Sequence, residues 1–343
     1  MTIINKTPVR TCEHYKINDY EIDKSYFDKE GKRFGNYSFD GICLYERNDE
    51  ETPLKYGLGE EALKQVEDNH NLKYMLYPYD KFSKFEINFD DEHNILIDDL
   101  VLELERDTEL LIDYKGSTLK ECYHNGVIRI KALDNVNATV TIINNLNNES
   151  VNLLVIESHI GNNANVNLNI VDFGGEMSIS NYYGLLNGVG STSNLNTIYI
   201  GKDSQVFDMN YIVGIYGKNN NVNIDVEGAL RDASRKSFKG TIDFKKGCKK
   251  SVGSEEDYCI LFSKDARSKS LPMLLASEED VVGNHASATG KIDEKMLFYI
   301  ESRGISKADS EKLVVRSRFN NVLDSLNNEE TIEYINNLIE EKM

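Results

Sequence analysis

The residues best suited to chemistry surround one histidine and one cysteine in the last third of the chain. His285 lies in a run of small residues, Asp280-Val-Val-Gly-Asn-His-Ala-Ser-Ala-Thr-Gly290, where a backbone or a partner can approach the imidazole closely. Cys259 precedes it by 26 residues, and Glu255-Glu256-Asp257 stand just before the cysteine as oxygen donors or simply as solvated charges. Imidazole and thiolate both bind borderline-soft metals. His285 and Cys259 are therefore candidate metal or cofactor ligands, and the alternatives are a turn histidine and a small buried hydrophobe.

The other candidates are weaker. The basic neighbours of Cys248 predict a lowered thiol pKa. The remaining histidines have no partner at metal-ligand spacing, so we expect surface or turn positions for His14, His70, His93, His124 and His159. The sequence contains no CxxC, GxxxxGK[ST], GxSxG or HExxH motif. We expect no turnover chemistry and no bound nucleotide in this chain.

Composition restricts the partners and the compartment. The 343 residues carry a net charge of -18, whereas nucleic acids and anionic membranes attract basic surfaces, so we expect neither as a partner. The longest apolar runs have the length of strands, too short for a membrane helix. The N-terminus has no apolar signal region, and five scattered cysteines fit a reducing compartment. These features predict a cytoplasmic protein.

The candidate site must be positioned by β-strands. Residues 79–271 contain no proline, and apolar and polar residues alternate along this stretch with a period of two. Asn-x-Asn segments begin near residues 135, 163, 194 and 221, at spacings of 28, 31 and 27 residues. Such a quasi-repeat of short strands predicts a parallel β-helix, and a flat antiparallel sandwich is the alternative. We expect the apolar members to point inward: Val140, Ile142, Leu168, Ile170, Ile198, Ile200, Ile224 and Val226.

The two ends of the chain differ from this middle part. The sequence predicts a small N-terminal α/β subdomain at residues 1–89, with a helix near residues 59–68. The β-helix core is expected at residues 90–290, and a C-terminal helical subdomain at residues 291–343. Asp293 and Ser306 are candidate helix N-caps, and a final helix follows Asn327-Asn328. The apolar stripe of Val315, Phe319, Val322 and Leu326 predicts one continuous helix. We expect these helices to pack on the protein and to cap the open solenoid core.

The C-terminal part resembles the SufB/SufD family of iron-sulfur cluster assembly proteins. The resemblance is carried by Leu271-Pro272, Glu278-x-Asp280-Val281, His285-Ala-x-Ala-Thr-Gly-Lys-Ile-Asp293 and Leu297-Phe-Tyr-x-x-Ser-Arg-Gly-Ile305. Further similarity comes from Arg231-x-Ala-Ser234, Phe238-Lys-Gly240 and Ile95-Leu-Ile-Asp98-Asp-Leu100, so that the resemblance covers roughly residues 90–330.

The resemblance implies a scaffold with a right-handed parallel β-helix and a C-terminal helical domain that docks on SufC, an ABC-type ATPase. Two chains are expected to pair through their last strands, as a homodimer or with a SufB-like paralogue, and a cysteine desulfurase or another sulfur donor would supply sulfur. An iron-sulfur cluster or iron is expected to form at this interface, held transiently. ATP binding would pull on the helical domains, open the interface and expose His285 and Cys259.

Two positions bear on the branch of the family. Ala286 follows His285, as in the SufD branch, and the position of the SufB cysteine falls at Asp257. Cys259, two residues later, would share the strand face of Asp257 and could replace that cysteine. The remaining alternatives for the whole chain are a β-solenoid interaction module and a polysaccharide-active β-helix protein.

Overall fold

The computed structural model describes residues 1–48 and 53–343 of the chain, and these residues are mainly β-structure. The strands of the first third are β1 Thr2–Ile4, β2 Tyr20–Ile22, β3 Tyr37–Asp40, β4 Ile42–Glu46, β5 Leu72–Pro78, β6 Phe82–Phe89, β7 Ile95–Leu104 and β8 Thr108–Gly116. The later strands are β9 Tyr123–Ala132, β10 Asn137–Asn145, β11 Val151–Ile160, β12 Asn165–Asp172, β13 Met177–Leu186, β14 Thr192–Gly201, β15 Val206–Ile215, β16 Asn221–Leu230, β17 Arg235–Phe244, β18 Ser251–Leu261, β19 Arg267–Ala276 and β20 Val281–Gly290. The helices are α1 Glu60–Asn69, α2 Glu294–Glu301, α3 Lys307–Arg318, α4 Asn320–Leu323 and α5 Glu329–Lys342.

Two nine-stranded sheets form a parallel β-solenoid. Sheet I has the order β20-β18-β16-β14-β12-β10-β8-β6-β3, and sheet II has the order β19-β17-β15-β13-β11-β9-β7-β5-β4. From β5 onward, successive strands alternate between the sheets, and each pairs in parallel with the strand two positions away. Antiparallel pairing is found where β3 meets β6 and β4 meets β5, at the start of the stack. The predicted β-helix is confirmed, and the antiparallel sandwich is wrong.

The Asn-x-Asn repeat forms a side-chain ladder on the outer face of sheet I. Asn167 accepts a hydrogen bond from Asn194 at 2.7 Å, and Asn194 accepts one from Asn223 at 2.8 Å. Because these strands pair in register, each amide stands above the next one. The ladder explains why asparagine recurs at the spacing of one solenoid turn.

The prediction of inward residues is correct for six of the eight positions. Val140, Ile142, Leu168, Ile170, Ile224 and Val226 belong to the cluster between the sheets. Ile198 and Ile200 were assigned wrongly, because Leu195 and Tyr199 take the inward positions of β14. The two isoleucines are buried against the C-terminal helices, which give sheet I a second apolar surface.

The C-terminal helices lie across the outer face of sheet I. Their apolar residues, including Val315 and Phe319, join one cluster with outward residues of β8, β10, β12, β14, β16 and β18. The prediction that they cap the open core is therefore wrong. Asp293 and Ser306 cap α2 and α3 as expected, but the apolar stripe is divided, since Phe319 leaves the helical conformation between α3 and α4.

The N-terminal residues cover the opposite side of the solenoid. Ile4, Ile22 and α1 pack on outward residues of sheet II such as Val127 and Leu153. The helix predicted near residues 59–68 is confirmed as α1. Across residues 1–48 and 53–343, none of the helices has the length and apolarity that a membrane crossing requires.

Candidate metal centre at the open end of the solenoid

The solenoid ends in an open rung made of β19 and β20. Each strand has one neighbour within the described chain, β17 for β19 and β18 for β20. Residues 282–289 of β20 are exposed, although they continue sheet I in regular register with β18. Backbone groups along such an edge are free to pair with another chain.

His285 lies in the middle of β20 and is exposed. Its side chain belongs to the inner face of the rung, because Val281 packs on the core and Ser287 lies within 3.3 Å of Asp257 inside the solenoid. In the register of the sheet, His285 stands directly beside Glu255 of β18. The predicted site histidine is therefore accessible and stands over a carboxylate.

Glu255 is unusual because its carboxyl group is buried with one oxygen atom unpaired among the described residues. It is 1% exposed, and its Oε2 atom has no hydrogen-bond partner among the described residues. Burial raises the pKa of Glu255 to about 8, with a further contribution from Asp257. The carboxyl group lies over Gly240, where an added Cβ would come within 2.2 Å of Oε1. The glycine thus leaves the space that this carboxyl group fills.

Asp257 is engaged in a buried ion pair. Both of its carboxylate oxygens contact Lys236 Nζ, at 2.5 Å and 2.6 Å, and both side chains are almost completely buried. The hydroxyls of Ser270 and Ser287 complete the surroundings of the carboxylate. The resemblance places the SufB cysteine at this position, but here it holds a closed, charge-balanced pair.

Cys259 faces the interior, as expected from its strand face. It is completely buried beside Tyr199 and Ser268, and burial raises the pKa of its thiol. It pairs in register with Thr289, four positions along β20 from His285. At about 3.3 Å per residue, this offset is about 13 Å along the strand. The structure therefore brings the two predicted ligands onto neighbouring strands and the same face, but not around one ion.

Two other predictions about titratable residues are wrong. Cys248 is buried in the turn before β18, and burial raises the pKa of its thiol, assisted by Glu278, where basic neighbours predicted a lower value. His124 is completely buried inside the solenoid, between Asp98 at 2.9 Å and Asn152 at 2.7 Å. The lysines beside Cys248 are exposed, whereas the cysteine itself is buried. The hydrogen bonds of His124 belong to a polar network inside the solenoid that the local sequence does not reveal.

The end rung is thus a polar chamber under an exposed histidine. Within the described ranges, no three His, Cys, Asp or Glu side chains converge in a geometry that could hold a metal ion. The chain alone provides partial sets of donors: imidazole with carboxylate, and a separate thiol. Sequence reasoning missed Lys236. It could have been found because it alternates with Phe238, so that both side chains point into the solenoid. Glu255 was considered only as a neighbour of Cys259.

Comparison with known proteins supports one family. The family model described as SUF system FeS cluster assembly, SufBD core domain, matches residues 88–318. The iron-sulfur cluster assembly protein SufD of Bacillus subtilis is 28% identical over 158 residues, which cover 46% of this chain and 36% of that protein. An iron-sulfur cluster assembly SufBD family protein of Mycobacterium leprae is 24% identical over 230 residues, 67% of this chain and 26% of that protein. In both cases the match spans well under two thirds of the relative.

Proposed function

Because the chain belongs to the SufBD family of the SUF iron-sulfur cluster assembly system, we propose that it is a scaffold without turnover chemistry of its own. Iron and sulfide are its cargo, and a cysteine desulfurase or another donor supplies the sulfur. The observation that carries this proposal is the open rung, where exposed His285 stands on a free strand edge above buried donor groups.

The pairing surface is the edge formed by β19 and β20. A second copy of the chain or a SufB-like chain extends the sheets there, so that its donors face His285 and Cys259 across the interface. The exposed positions of β20 are mainly small, as at Ala286 and Ala288, and they permit close approach of another backbone. Donors from two chains complete the partial sets that each chain holds alone.

The docking surface for a SufC-type ABC ATPase is α2. This helix exposes Met296, Phe298 and Tyr299, with 46%, 73% and 59% of their surface accessible. Neighbouring apolar rings on one short helix suit a protein partner better than water. The rest of the helical region is fixed to the solenoid, since Arg231 of the loop after β16 binds Glu311 of α3 at 3.0 Å.

Coupling between the ATPase and the site runs through sheet I. The helices α3 and α4 contact β16 and β14, and β16 pairs with β18, which pairs with β20. When the ATPase subunits close, they pull on the C-terminal helices. The force passes through these strands to β20 and separates the paired end rungs. His285 and Cys259 then become accessible to iron and sulfide.

Complementation with a docking control tests the proposal. In cells lacking the native copy, the wild-type chain is expected to restore the activity of iron-sulfur enzymes and to co-purify with the ATPase. The double variant Phe298→Ala, Tyr299→Ala is expected to lose both properties at normal protein level, whereas Leu313→Ala, an exposed apolar change on α3, keeps them. Failure of the wild-type chain to complement rejects the function, and co-purification of the double variant rejects the docking surface.

A further inference from the structure

Hydrogen bonding does not account for the burial of the Glu255 Oε2 atom among the described residues. A carboxyl group with 1% exposure normally has hydrogen-bond or ionic partners, because burial without them is costly. Its Oε2 has no partner among the described residues, and the nearby cation, Lys236, is bound to Asp257 by both carboxylate oxygens. The protein thus keeps one carboxyl group unsatisfied directly beneath its open end.

The position of Glu255 relative to His285 indicates that the two side chains can bind the same ligand. The two residues are register partners on β18 and β20, so their side chains leave the same face of sheet I about 4.8 Å apart. The residues flanking His285 on that face, Gly283 and Ser287, are small. A ligand that reaches the exposed imidazole therefore meets no bulky side chain of β20 on its way to the carboxyl group.

We propose that Glu255 and His285 together form a two-donor site for a divalent transition metal, which is Fe²⁺ if the chain acts in cluster assembly as proposed above. One imidazole nitrogen and one carboxylate oxygen are suitable donors for Fe²⁺, and water or a paired chain supplies the remaining positions. Asp257 is occupied by Lys236, and Cys259 lies about 13 Å along the strand from the histidine position. Iron is thus held first by nitrogen and oxygen, at a distance from the thiol.

Binding of Fe²⁺ alone to the full chain tests this site without any assembly activity. Anaerobic equilibrium dialysis compares the wild type with Glu255→Gln, which keeps the shape of the side chain but cannot become a carboxylate, and with His285→Ala. The matched control is Glu256→Gln, which alters the neighbouring, outward-facing and exposed carboxylate of the same strand. We expect one Fe²⁺ per wild-type chain, unchanged affinity in the control, and at least tenfold weaker binding in the other two variants. Their thermal unfolding midpoints show whether each variant is folded.

Wild-type affinity in folded Glu255→Gln would overturn the role of Glu255, and so would a wild-type chain that binds no Fe²⁺. Complementation decides the proposed function separately. A wild type that complements without binding Fe²⁺ rejects the site and retains the function. A wild type that binds Fe²⁺ through both residues but fails to complement retains the site and rejects the function.

Discussion

Replacing Lys236 with Met should loosen the end rung and leave the middle of the solenoid unchanged. Lys236 Nζ lies 2.5 Å and 2.6 Å from the two oxygens of Asp257, and both side chains are almost completely buried. Breaking a buried ion pair by removing one partner costs about 3–5 kcal/mol, since the remaining charge is uncompensated. The hydroxyls of Ser270 and Ser287 still surround the carboxylate, so we take the lower end, about 3 kcal/mol.

Hydrogen exchange measures this effect strand by strand. In a solenoid each turn contacts its neighbours, so the terminal strands can open locally, and 3 kcal/mol corresponds to roughly a hundredfold faster exchange in β18–β20. Strands β9–β12 should keep the protection they have in the wild type. Lys236→Met combined with Asp257→Asn should recover most of the protection, because no buried charge remains. The matched control is Lys246→Met, an exposed lysine in the next turn. Exchange in Lys236→Met equal to that of the control, or an equal loss of protection in β9–β12, would show that the ion pair does not stabilise the end of the solenoid.

Three further predictions concern the rest of the molecule. Burial raises the pKa of Asp172 to about 6, so the stability that its protonated form contributes is lost as the pH rises from about 4 through 6. In chemical denaturation, Asp172→Asn should therefore be more stable than the wild type by about 2 kcal/mol at pH 8, but not at pH 4. Phe319→Ala should cost about 3 kcal/mol and raise hydrogen exchange in the C-terminal helices; unchanged exchange there would contradict their packing on sheet I. Gly240→Ala should destabilise by about 1–3 kcal/mol through its clash with Glu255, whereas Gly35→Ala, with open space around it, should be neutral; equal melting of the two variants would contradict the clash.

The solenoid could be predicted because its information is local and repeated. Alternation in each strand and recurring Asn-x-Asn segments specify both the strand faces and the spacing between turns. The error at Ile198 and Ile200 arose because alternation shows which residues share a face, but not whether a helix covers the other face. That information lies more than 100 residues away in the C-terminal helices.

The site was predictable only in part, for a similar reason. Motif spacing singled out His285 and Cys259 and correctly indicated neighbouring strands. It could not give the register between β18 and β20, which places Glu255 beside the histidine and Cys259 four positions away. The partner of Asp257 is Lys236, from the opposite sheet, and such a contact across the core follows from tertiary packing alone.

Cluster assembly on the purified complex shows whether His285 takes part in building a cluster. The chain, with its paired chain and the ATPase, is supplied anaerobically with Fe²⁺, cysteine, a cysteine desulfurase, ATP and a thiol reductant that reduces the persulfide sulfur to sulfide. Mössbauer spectroscopy counts the iron in clusters. The matched control is Asn284→Ala, the exposed neighbour of His285 on the other face of β20. We expect cluster formation by the wild type and by Asn284→Ala, and its loss in folded His285→Ala. As much cluster in His285→Ala as in the wild type would contradict this expectation.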